Sequence, residues 1–125
     1  LRASDEISYY KDKFYNYNGS KIYKIEAKVR QLLPANNGEQ KCSIGIESFG
    51  GVEYMIVDNV QLKPEDSWQI VTGYFSGSSN AGIKFDLTAI DGVAQFRPII
   101  KLNADTGDGI AEVDYLRIKE LQVQN

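Results

Sequence analysis

From Tyr23 to Arg30 the chain alternates without interruption. Tyr23, Ile25, Ala27 and Val29 are apolar, and Lys24, Glu26, Lys28 and Arg30 between them are charged. Successive side chains of a β-strand point to opposite faces, so this run sorts into one buried face and one wet face. At helical spacing the same apolar residues scatter around the cylinder and bury nothing. The run therefore predicts a strand over Lys21–Leu33, half covered by a core. Pro34-Ala-Asn-Asn-Gly38 supplies the turn chemistry that stops it.

The pattern then repeats down the chain. Cys42, Ile44 and Ile46 alternate with Ser43, Gly45 and Glu47, and Gly50-Gly51 closes that strand. Glu53–Val60 reads as a mostly apolar third strand. Trp68–Phe75 reads as a fourth, with Trp68, Ile70, Thr72 and Tyr74 on one side. Ser76–Gly82 has the composition of a flexible surface loop. Ile83, Phe85 and Leu87 then mark a fifth strand before the turn dipeptide Asp91-Gly92. Ala94–Leu102 is a sixth, in which Pro98 lacks an N–H and favours a sheet edge or a bulge. In the last, Ile110–Val123, the inward parity switches from Val113 and Tyr115 to Leu116 and Ile118, which a β-bulge near Tyr115 explains. Seven or more short strands between Gly, Asn, Asp and Pro turns predict an all-β fold, a two-sheet antiparallel β-sandwich. At 125 residues the chain is one domain, with residues 1–20 forming an aromatic-rich segment packed on the sandwich. It begins on Leu1, as a module processed or excised from a larger protein does.

Composition narrows the chemistry. The sequence holds no His and one Cys, Cys42, which removes His-dependent catalytic triads, His-ligated zinc, thiolate zinc sites and intrachain disulfides. A net charge of −3 and a pI near 4.9 argue against nucleic-acid binding. No stretch approaches the roughly 20 apolar residues that insert across a bilayer. Glu47, Glu53, Asp58, Asp86 and Glu112 lie on or beside strands, but nothing singles out a catalytic pair among them. No enzyme activity is expected.

Candidate binding residues remain. Tyr9, Tyr10, Phe14, Tyr15, Tyr17 and Tyr23 crowd the first 23 residues. Such rings either stack on the C–H face of a pyranose or staple the N-terminal segment to the sheet. Trp68 either stacks on a sugar or caps the core, and burial is the commoner fate of a lone Trp. Arg97, Lys101, Gln95 and Asn103 form a polar row on one face of a strand, which either reads hydroxyls or is simply solvated. The run Asn103–Gly109 fails as an EF-hand loop, since Gly107 stands where a ligand is wanted and Asp108 where Gly is needed. A looser oxygen site at Asp105 or Asp108 stays open, as does a plain hairpin turn.

Three segments resemble a known family. They are the early strand Lys21-Ile-Tyr-Lys-Ile-Glu-Ala-Lys-Val-Arg30, the Trp-led strand Trp68-Gln-Ile-Val-Thr-Gly73, and a closing sequence. The last runs Phe96-Arg-Pro-Ile-Ile-Lys-Leu-Asn103, Gly107-Asp-Gly109 and Ala111-Glu-Val-Asp-Tyr-Leu-Arg-Ile118. Together, over roughly residues 18–121, they are similar to carbohydrate-binding-module-like jelly-roll domains of phage and prophage tail fibres and tailspikes. The resemblance implies a jelly-roll sandwich in an extracellular virion tail, working in host recognition, usually within a homotrimer. It implies a cell-surface polysaccharide or glycan as partner but carries over no aromatic ligand; the residues expected to contact the sugar are those read from the sequence, Tyr9, Tyr10, Tyr15, Trp68, Arg97, Lys101 and Asn103. A structural calcium occurs in related modules, and Asp114 matches their last-strand ligand by position, with Asp5 or Glu6 as the N-terminal acid. The alternative within the same setting is a trimerisation or capping domain that binds no sugar and buries Tyr9, Tyr10, Phe14 and Tyr15 between protomers.

Overall fold

A computed structural model describes residues 6–7, 13–33, 40–63, 67–80, 87–103 and 110–121. Within them the chain is a sandwich of two sheets. Its strands are β1 (Glu6–Ile7), β2 (Tyr15–Asn16), β3 (Ile22–Leu33), β4 (Lys41–Ser48), β5 (Glu53–Gln61), β6 (Gln69–Ser76), β7 (Leu87–Ala89), β8 (Gln95–Asn103) and β9 (Ile110–Leu121). The front sheet runs β1-β8-β4-β5, with β2 also on the outer edge of β8, and the back sheet runs β7-β6-β3-β9. Every pairing is antiparallel except β6–β7. This is the all-β, two-sheet sandwich that the alternation predicts, in the jelly-roll-like form that the resemblance implies.

The parity of β3 explains the layering. Tyr23, Ile25, Ala27 and Val29 are buried, and so are Cys42, Ile44 and Ile46 of β4 and Phe96, Ile100 and Leu102 of β8. These inward residues form one core cluster between the sheets. Each wholly buried Ile or Phe contributes roughly 1.5–3 kcal/mol relative to leaving it in water. The sheets approach closely at Gly73 of β6. A Cβ built there would sit 2.5 Å from Val57 Cγ2 and 2.8 Å from Ile56 Cγ2 of β5.

The parity switch in β9 is a bulge. Tyr115 faces Lys28 and Val113 faces Val29, so Asp114 is the extra residue. Leu116 and Ala111, on opposite parities, are thereby both buried. Pro98 departs from expectation. Its strand, β8, is interior to the front sheet, and Pro98 lies opposite Ile46 of β4. On the other side β1 pairs with Lys101 and Ile100, and β2 with Phe96 and Gln95, so the proline falls between two short ladders. Its missing N–H is accommodated there rather than at an edge.

The described part of the expected loose loop after β6 is instead tightly tied. Ser78–Asn80 is a 3-10 turn. The Ser76 hydroxyl, wholly buried, donates to Lys21 O at 2.6 Å and accepts from Asn80 Nδ2 at 2.6 Å. Gly77 N–H donates to Gly19 O at 2.9 Å, and a Cβ on Gly77 would lie 2.6 Å from that oxygen. The remainder of that loop, and Ile83, Phe85 and Asp86 of the expected fifth strand, lie outside the described residues, as do Asp105 and Asp108.

Candidate functional site

The candidate residues fall in three separate places. The first is the outer face of the front sheet. Arg97 and Lys101 share an outward parity on β8, and both meet carboxylates from neighbouring strands. Arg97 lies opposite Glu47 of β4 in the ladder and donates through Nε to Glu47 Oε1 at 2.8 Å, with Nη2 donating to the same oxygen. Lys101 Nζ reaches across β4 to Glu53 Oε1 of β5, at 2.6 Å. Glu47 and Glu53 are themselves cross-strand partners. The result is a patch of alternating charge whose donors and acceptors are already oriented.

An aromatic pair flanks this patch. The Arg97 guanidinium stands 4.8 Å from the centroid of Phe14, and Phe14 meets Phe49 edge to face at 5.2 Å. Phe49 occupies the turn between β4 and β5, with 72% of its surface exposed. The turn fixes it in place. Gly51, at φ 91°, donates to Ser48 O at 2.9 Å, and Phe49 N–H donates to Gln95 O of β8 at 3.1 Å. Val52 beside it is also exposed. Ile99, between Arg97 and Lys101 on the same parity, is wholly buried, so the row is not a continuous open strip. Asn103 closes β8 opposite Lys41. Phe49 was not among the sequence candidates. The signal was present, because an aromatic directly before Gly50-Gly51 sits at a hairpin tip where no core can cover it.

The second place is the outer face of the back sheet, which carries Trp68. Its ring is half-buried beneath two cations of β3, Arg30 at 4.7 Å and Lys28 at 5.4 Å from the centroid. It is neither an open stacking platform nor a core cap. Ion pairs continue across the face, Arg30 Nη2 to Glu112 at 2.9 Å and Lys28 to Asp114 at 3.7 Å. Asp114 thus stands at the bulge beside an ammonium, a poor neighbour for a calcium ligand. Among the described residues no group of three or more His, Cys, Asp or Glu is placed to hold a metal ion. Asp5 lies outside those residues, and Glu6 belongs to the front sheet, opposite Lys101. Nearby, burial pushes the Glu26 carboxyl up, but Lys24, Tyr115 and Arg117 outweigh it and hold it below the usual range. Burial, and then Glu26, push the Tyr115 hydroxyl up.

The third place is a cleft of about 390 Å³ between the sheets, where β2 and β9 form neighbouring borders. Tyr15 of β2, Tyr23 of β3 and Phe96 of β8 line it with rings. Tyr15 packs 6.1 Å from Phe96, within this chain. Deeper in, Tyr17, Tyr23 and Phe75 stack on one another while Phe96 meets them edge-on. Tyr17 donates its hydroxyl to Ile90 O at 2.7 Å, and burial, then Asp91 and Tyr23, push its pKa up to about 12. Tyr9 and Tyr10 lie outside the described residues. Arg97 and Lys101 are therefore brought together, Tyr15 and Trp68 stand apart from them, and the described N-terminal rings are largely stapled to the sandwich.

No family model and no curated protein matches the sequence. Two solved structures resemble the fold. The CBM22-1 xylan-binding domain from Paenibacillus barcinonensis Xyn10C aligns with a TM-score of 0.48 at 11% identity, over 86% of this chain and 60% of that one. The EclA C-terminal domain, a sugar-binding protein, aligns with a TM-score of 0.50 at 18% identity, over 86% of this chain and 64% of that one. The chain thus spans less than two thirds of either neighbour, and at 18% identity the likeness to the EclA domain is a likeness of fold alone.

Proposed function

We propose that this domain is a non-catalytic carbohydrate-binding module that recognises a cell-surface glycan through the outer face of its front sheet. The observation that carries the reading is the exposed Phe49 ring held beside the Glu47–Arg97 and Glu53–Lys101 pairs. A pyranose laid on Phe49 places C–H bonds against the ring while its hydroxyls meet acceptors on Glu47 and Glu53 and donors on Arg97 and Lys101. Each carboxylate is already paired with a cation, Glu47 with Arg97 and Glu53 with Lys101, so the patch suits hydroxyls. Binding of this kind needs no metal.

The setting we propose is a phage tail fibre or tailspike, trimeric in the parent protein, with the module on the outside of the virion. The support for it is the resemblance carried by Phe96–Asn103, Gly107–Gly109 and Ala111–Ile118. The test is a glycan array of bacterial surface polysaccharides followed by calorimetric titration of hits. Phe49→Ala and Arg97→Ala should each weaken binding by at least about tenfold, the loss expected of a residue central to an interface. Absence of binding to every polysaccharide, by both the domain and a full-length trimer, would sink the reading.

A further inference from the structure

The cleft between the sheet borders takes no part in front-face binding, and its chemistry is specific enough to name a ligand class. We infer that it is a second glycan subsite, one that takes the uncharged terminal residue of a chain. The inference rests on the carbohydrate-binding reading but uses none of the front-face residues.

The cleft floor is aromatic. Tyr23 and Phe96 present only slivers of their rings, with 5% and 2% of their surfaces exposed, and Tyr15 forms a half-buried wall above them. Ile118 of β9 and Pro98 of β8 complete the apolar lining. Polar groups gather at the mouth. Arg117 and Glu120 come from β9 and Asn16 from β2. Their charges are balanced locally. Glu120 is paired with Lys21 at 2.5 Å, while Arg117 turns its guanidinium to the outer face of the back sheet, 3.4 Å from Glu26 and 4.3 Å from the centroid of the Tyr115 ring. A mouth whose ion pairs cancel favours neither an acid nor a base. What it offers is the Glu120 carboxylate as acceptor and the Asn16 amide, whose oxygen accepts from Gln95 at 3.2 Å and whose N–H groups can donate, set above aromatic carbon. A neutral pyranose has this same division, with C–H faces and a rim of hydroxyls.

Two features select a chain end. The volume is at the low end for small-molecule sites, which span roughly 300–1,000 Å³. The floor is closed by rings packed into the core, so a residue that enters cannot be extended inward. A long chain lying on Phe49 has no such stop.

The test uses the 125-residue chain, isotopically labelled, and two probes: methyl glycosides of neutral hexoses and pentoses, and the hexosides oxidised at C6 to uronic acids. Neutral glycosides should shift the amide signals of Tyr15 and Ile118. Tyr15→Ala and Glu120→Gln should each weaken that binding about tenfold or more, while Phe49→Ala leaves it unchanged. Glu120 is exposed, so its variant folds even where Tyr15→Ala does not. Tighter binding of the uronates, or neutral binding indifferent to both cleft variants, overturns the inference. If polysaccharide binds in a Phe49-dependent way while no glycoside shifts Tyr15 or Ile118, the cleft proposal alone fails. If glycosides bind at Tyr15 while no polysaccharide depends on Phe49, the front-face reading alone fails. Silence from every probe overturns both.

Discussion

Single atoms decide how closely the two sheets meet. At Gly73 a methyl group would press on Val57 and Ile56, both branched side chains packed against the core. Gly73→Ala should therefore destabilise the fold by about 1–3 kcal/mol, read as a lower urea midpoint with an unchanged slope. A buried thiol and a partly buried phenol set the alkaline limit. Burial pushes the Cys42 thiol from 9.0 up to about 12, and Tyr17 rises from 10.0 to about 12. In the unfolded chain each gives up its proton near the lower value, whereas the folded chain holds it. Stability is thus full below pH 9.0 and falls as pH rises toward about 12. Urea midpoints measured across that range should decline, and Tyr17→Phe should flatten the part above 10.0. Glu26 acts in the opposite direction. Its lowered pKa adds stability above its ordinary 4.5 that disappears as pH falls, and Glu26→Gln should remove that acid-side slope.

At the scale of the strand, the bulge in β9 reconciles one sequence with two parities. Asp114 is the residue the ladder does not pair: with it removed, Val113 would directly precede Tyr115 and still face Val29, so Ala111 and Val113 would stay inward and Glu112 outward. Deletion of Asp114 should therefore leave the fold intact at a cost of no more than about 2 kcal/mol, seen as a small drop in thermal midpoint, and Asp114→Ala, which keeps the bulged backbone, should cost under about 1 kcal/mol. The bulge was legible because Val113 and Leu116 are both apolar and only an extra residue can bury both. The alternation of β3 and β4 was legible for the same reason, since local spacing reports a half-buried strand directly. Pro98 was misread because its environment is set by β1 and β2, more than eighty residues earlier in the chain. The tying of Ser76–Asn80 to Gly19 and Lys21 was hidden likewise, since a Gly- and Ser-rich composition records permissive backbone and says nothing about distant carbonyls.

For the whole molecule, strand order governs which candidates can act together. Arg97 and Lys101 remained neighbours because they share one strand and one parity. Trp68 and Tyr15 could not be placed from the sequence, because assignment of β6 to the back sheet and β2 to the border of the front sheet is a matter of long-range pairing. Phe49 is the reverse case, a local signal at a Gly-Gly turn that composition alone overlooks. With its described N-terminal rings packed on their own chain, the isolated domain should run as a 14.0 kDa monomer in light scattering, and an obligate trimer would instead favour an assembly role. The position of Trp68 has an optical consequence. The chain's one indole lies under Arg30 and Lys28 on the back sheet, while the proposed ligand contacts are on the front sheet and in the cleft. Its emission should stay dark to sugar and respond to unfolding, so the protein carries its own internal control: a quiet fluorescence trace beside a calorimetric signal certifies that a bound domain is still a folded one.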